Sequence, residues 1–134
     1  MALQFGTTLR NDFLSQLDTV LGSSSTLVVY TGSVPASCAA SATGTLLATV
    51  TLNSSPFGSP SGGSVAMSGL PLSATAGNSG TAGYFRLLDG SATCHNQGSC
   101  GLTGSGADLI FDNTSIVSGQ SVNITGFTLT APGA

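Results

Sequence analysis

From residue 26 to residue 130, apolar side chains alternate with Ser, Thr and Gly, and this period of two commits most of the chain to β-strands with one buried face. Residues 45–52 show it cleanly: Leu46, Ala48, Val50 and Leu52 face one way, Leu47, Thr49 and Thr51 the other. Further strands are predicted at 26–31, 64–67, 83–88, 91–95, 107–111 and 121–130, with Phe85 and Leu87 opposite Tyr84, Arg86 and Leu88. Asp89-Gly90 supplies a two-residue hairpin turn from 83–88 into 91–95. The last strand slips phase, because Val122 and Ile124 share one parity and Phe127 and Leu129 the other. A bulge at Thr125-Gly126 brings all four to the core. Segments 33–44 and 54–63 are poor in core residues and read as long loops. The second is either a plain surface loop or an arm reaching a neighbour.

Residues 7–22 are the exception to the alternation. Leu9, Phe13, Leu14, Leu17, Val20 and Leu21 recur at spacings of three and four, the stripe of an amphipathic helix. Thr7 or Thr8 is placed to cap it, Asp12 to complement its dipole near the first turn, and Gly22 to end it. The helix either packs on the sheet or docks on a partner subunit. The expected fold is mainly β: one domain over residues 1–134, an antiparallel β-sandwich or jelly-roll-like body at 26–130 with one N-terminal α-helix.

The chain of 134 residues holds only seven formal charges, at Arg10, Asp12, Asp18, Arg86, Asp89, Asp108 and Asp112, with no Lys and no Glu. Two basic residues cannot neutralise a run of phosphates, which argues against nucleic acid and anionic membrane as partners. Ser and Thr supply 38 residues and Gly 19, so the surface is coated with hydroxyls and backbone rather than ions. A surface so poor in charge favours association, and a homo-oligomer or larger assembly is expected. The first residues lack a basic stretch followed by a long apolar run, so no secretory signal peptide is expected, and no apolar run approaches the ~20 residues of a membrane span.

Residues able to do chemistry are few. His95 is the only histidine, and no Gly-x-Ser-x-Gly elbow accompanies it, so neither catalytic residues nor a cofactor site is expected. Asp108 and Asp112 sit ~13 Å apart along a strand, too far to share a glycosidase site. With Asn113 they offer calcium ligands, though not at EF-hand spacing, and no metal is expected. Cys94-x5-Cys100 predicts a loop disulfide between Cys94 and Cys100, with free thiols the alternative; Cys38 is then unpaired or bridges to another chain. Arg86 is expected in a structural ion pair with Asp89, or with Asp108 or Asp112, a ligand or partner contact being the alternative. Asn-x-Ser/Thr triplets at Asn53, Asn113 and Asn123 are chance matches in a Ser/Thr-rich chain. A carbohydrate-binding module would need aromatic platforms, and the chain has no Trp and only Tyr30 and Tyr84 beside six Phe.

Four segments carry a resemblance. The first two are Thr7-Thr-Leu-Arg-Asn-Asp-Phe-Leu14 and Leu27-Val-Val-Tyr-Thr-Gly-Ser-Val-Pro-Ala36. The others are Gly80-Thr-Ala-Gly-Tyr-Phe-Arg-Leu-Leu-Asp-Gly90 and Asp108-Leu-Ile-Phe-Asp-Asn-Thr-Ser-Ile-Val-Ser-Gly-Gln-Ser-Val-Asn-Ile-Thr-Gly-Phe-Thr-Leu-Thr130. This layout resembles a family of small virion proteins encoded by tailed bacteriophages and prophages, and the Cys94–Cys100 stretch departs from its pattern. The resemblance implies a protein made in the host cytoplasm and located in the virion. It implies a capsid decoration or cement protein, with the major capsid protein or other virion proteins as partners. A neck, tail or fibre component, or a carbohydrate-binding module for host adhesion, is the alternative. The shared motifs are structural, so no catalytic residue is carried over.

Overall fold

The computed structural model describes residues 3–133. Gly6, with extended backbone, begins helix α1 (Thr7–Leu21), and the first helical bond runs from Arg10 N to Gly6 O at 3.0 Å. Among the described residues no side chain caps this end, and Asp12 lies beyond the first turn, so the expected Thr cap and first-turn acid are not used. Gly22, at φ +73°, ends the helix as expected.

Ten strands follow among the described residues: β1 (Thr26–Tyr30), β2 (Leu46–Thr51), β3 (Ser64–Ala66), β4 (Leu72–Thr75), β5 (Gly80–Thr81), β6 (Tyr84–Leu88), β7 (Cys94–Gly101), β8 (Leu109–Phe111), β9 (Ser115–Ile116) and β10 (Ser121–Thr130). The large sheet runs β2-β1-β6-β7-β8-β10-β3, and β4 also pairs with β10; β5 and β9 form a separate ribbon. Ile124 pairs with Leu72 of β4 and with Phe111 of β8, which puts those strands on opposite sides of β10. The sheet curls: the turn after β4 meets the free edge of β2, with Gly77 N donating to Leu47 O at 2.9 Å and Asn78 Nδ2 to Leu46 O at 2.8 Å.

The protein is therefore mainly β with one helix, but the sheet is mixed and not wholly antiparallel. Strands β7 and β8 run parallel over Cys100↔Leu109 and Gly101↔Ile110. Asp108 causes this. Its Oδ2 accepts from Ser99 N at 3.0 Å and Ser99 Oγ at 3.1 Å, which folds the 102–108 loop back alongside β7.

Inside the curl lie Leu27, Val29, Leu47, Val50, Phe85, Leu87, Leu109, Phe111, Val122, Ile124 and Phe127, all buried. Phe127 joins Phe85 edge-on, with ring centroids 5.0 Å apart, and Phe57 at 5.8 Å. The register of β10 against β8 shifts between Ile124 and Gly126, so the bulge expected at Thr125-Gly126 is present. It returns Phe127 to the core, and Leu129 packs against it. Helix α1 closes one side with Leu14, Leu17 and Leu21 inward, and Arg10 is buried in the same row.

Candidate interaction surface

Both arginines are internal. The Arg10 guanidinium donates to Ala131 O from Nη2 at 2.8 Å and from Nε at 3.2 Å, tying α1 to the end of β10. Arg86 does not pair with Asp89. Three residues apart, they have opposite parity, and Asp89 lies past the end of β6. Arg86 points to the outer face of the sheet, where its Nη2 donates to Ala40 O at 2.8 Å and Ser37 O at 3.3 Å.

That outer face is covered by the 33–44 loop, and its neighbours complete a clamp. Tyr84 Oη donates to Thr43 O at 2.6 Å and accepts from Thr43 N at 2.9 Å. Gln97 Nε2, opposite Arg86 in the β6–β7 register, donates to Pro35 O at 2.8 Å. Cys94, opposite Leu88, forms a disulfide with Cys38, with Cα atoms 5.3 Å apart. The expected Cys94–Cys100 bridge is thus replaced, because both residues lie on β7, six positions apart along the strand, which separates them by roughly 20 Å. Cys100 is the free thiol; burial, with the Asp108 carboxylate adding to it, pushes its pKa up to about 12.

Asp89 serves the β6–β7 connection. Its Oδ1 accepts from Ser91 N at 2.9 Å and Thr93 N at 3.0 Å, so the expected two-residue turn is a wider loop, and β7 starts at Cys94. Its Oδ2 pairs with His95 Nε2 at 2.9 Å. That bond, followed by the Thr93 N–H, holds the Asp89 carboxyl below its ordinary value. The β6–β7 register jumps from Leu87↔Asn96 to Leu88↔Cys94, leaving His95 as the extra residue of a bulge. The bulge aims its ring at α1, where it lines an open groove of about 170 Å³ with Phe13, Gln16, Leu17, Val20 and Leu21.

The groove marks where the predicted helical stripe divides. Leu14, Leu17 and Leu21 reach the core, but Leu9, Phe13 and Val20 remain 44%, 43% and 46% exposed. The six apolar residues of the stripe span more of the helix circumference than one sheet face covers. Phe5 meets Phe13 edge-on at 5.4 Å and extends the apolar strip towards the N-terminus. The other flank of α1 is polar and occupied: Asn11 Oδ1 accepts from Gly63 N at 2.9 Å and Asp18 Oδ1 from Phe57 N at 3.0 Å. The 54–63 loop is thereby pinned to the body, with Phe57 buried and an open pocket of about 370 Å³ between it and Asp18.

The remaining candidates do not converge. Asp108 engages Ser99, Asp112 accepts from Asn123 Nδ2 at 2.8 Å, and Asn113 Oδ1 accepts from Ser115 N. Among the described residues no three His, Cys or Asp side chains cluster as metal ligands. Tyr84 is fully buried and Tyr30 stacks on it, centroids 5.1 Å apart, so this pair offers little aromatic platform to a sugar. Gln97 and Tyr84 are not legible in the sequence as loop anchors, since their partners are backbone groups distant along the chain. Comparison with protein-family models, curated proteins and solved structures finds no match to the chain.

Proposed function

We propose that the protein is a non-enzymatic structural component of a tailed-phage particle, a capsid decoration or cement protein bound outside the head through many copies of one protein–protein contact. The observation that carries this reading is the apolar flank of α1, with Leu9, Phe13 and Val20 open to solvent on a surface nearly free of ions. Contiguous apolar surface of this kind marks interaction sites. Repetition over a lattice lets small contacts sum by avidity. The segment resemblance described above supports the particle assignment. In this reading the curled sheet is a sandwich or jelly-roll-like body, closed where the 77–78 turn meets β2, and α1 is the element turned towards the lattice.

Electron microscopy of particles assembled without the protein tests the role. Missing density on the head exterior and earlier heat-induced genome release are expected. Heads with unchanged surface density and heat tolerance would refute it.

A further inference from the structure

We propose that the exposed flank of α1 takes a segment of a different protein, apolar at its centre and carrying Lys or Arg at its margins, and not a second copy of this chain. The inference rests on the assembly role above and names the chemistry of the partner. The apolar centre is the groove of Phe13, Gln16, Leu17, Val20, Leu21 and His95, sized for one or two inserted side chains. Two carboxylates lie near it, outside its lining. Asp12 stands on the helix crest beside Leu9 and Gln16, its neighbours at three and four residues. Asp89 lies behind His95, its Oδ2 bonded to the ring Nε2 at 2.9 Å and its Oδ1 to the Ser91 and Thr93 amides.

A second copy cannot satisfy those carboxylates. The chain has no Lys, and both guanidiniums are buried on backbone carbonyls. In a two-fold pairing the same patch faces itself, and its one group able to carry positive charge, His95, is already bonded to Asp89, so Asp12 would meet neutral or like-charged groups. Like charges across an interface select against that partner, whereas a basic one is favoured.

The chain lacks Trp, so a Trp-bearing peptide reports its own binding to the intact protein by fluorescence. Three peptides share one amphipathic Leu/Phe/Trp centre and differ only in flanking Lys, Gln or Glu. The Lys-flanked peptide is expected to bind about three- to tenfold tighter than the Gln-flanked one, with the Glu-flanked weakest. Asp12→Asn/Asp89→Asn is expected to erase the difference between Lys and Gln flanks, and Phe13→Ser/Val20→Thr to abolish binding by all three. Circular dichroism confirms that each variant is folded. Equal affinity for Lys and Glu flanks, or no binding of the Lys-flanked peptide up to millimolar concentration, overturns the proposal. So does sedimentation showing a self-associated protein that Phe13→Ser/Val20→Thr makes monomeric. Particles unaffected by loss of the protein would refute the decoration role while leaving the peptide result standing, so the two failures are separable.

Discussion

Replacing Arg86 by Ala tests whether the outer face of β6 and β7 is held by a cation bound to backbone carbonyls. The 2.8 Å bond to Ala40 O is short and charge-assisted, worth about 2–3 kcal/mol, and the 3.3 Å contact to Ser37 O adds about 1. Burial of the aliphatic stem adds about 1–2 kcal/mol. Against this, Arg86 Nε is buried with no partner among the described residues, and removing it returns about 1–2 kcal/mol. The tyrosine and disulfide anchors survive, so the net loss is expected near 3 kcal/mol, on the order of the sum of these contributions.

Urea unfolding measures that loss, and native-state hydrogen exchange locates it. The Thr43 and Ala40 amides, bonded to Tyr84 Oη and Ser37 O, should exchange faster in Arg86→Ala, beyond the change in core amides of β1. Arg86→Met keeps most of the stem, so the difference between the two variants separates packing from hydrogen bonding. An Ala variant within about 0.5 kcal/mol of wild type, the range of an inconsequential surface change, with unchanged exchange across 33–44, would refute the clamp.

Three further outcomes are expected. Cys100 should be the only cysteine alkylated in the unfolded, unreduced protein, with mass spectrometry placing the Cys38–Cys94 bridge; in the native protein its labelling at about pH 8 should be slow. Because its folded pKa, about 12, lies above the ordinary 9.0, stability is unaffected below pH 9 and falls as pH rises from 9 to 12, where only the unfolded thiol ionises. Subtracting the stability-against-pH curve of Cys100→Ala isolates that loss, and parallel curves would contradict it. Leu14→Ala should destabilise by about 2–4 kcal/mol and Phe13→Ser by under about 1 in urea unfolding, although both lie in the predicted stripe, because only Leu14 is buried. Gly63→Ala should destabilise by about 1–3 kcal/mol in thermal melts, since Gly63 has φ +79° and an added Cβ meets the Arg10 guanidinium.

The strands with alternating apolar residues are legible in the sequence, and so is the bulge in β10, where Gly126 marks the change of phase. Strand β7 is not. Its positions opposite Phe85 and Leu87 are Gly98 and Asn96, and a Cβ on Gly98 would strike the Phe85 ring, so space and not hydropathy selects the residue there. Strands β4, β5 and β9 hold two to four residues each, too few for a period to register. The periodicity places the helix to within one residue but not its inward face, because Arg10 is buried where the stripe puts Leu9 or Phe13. Arginine partners are sought among carboxylates. Carbonyl partners, 46 and 121 residues away in sequence, leave no local signature.

The two buried guanidiniums and the curled sheet address one problem from different sides. Strand edges invite uncontrolled pairing, and most proteins guard them with surface charge, lysine above all. This chain has no lysine and keeps both arginines inside, where they fasten irregular backbone at 37–40 and at Ala131. Its guard is geometric: Gly77 and Asn78 occupy the carbonyls of Leu46 and Leu47 at the β2 edge. With that stretch of edge capped, the proposed contact falls on the exposed apolar flank of α1, where side-chain shape discriminates among partners as bare backbone cannot. A protein built this way can remain nearly uncharged without adding strands indiscriminately at that edge, and in the role proposed above the selectivity of its association depends on α1.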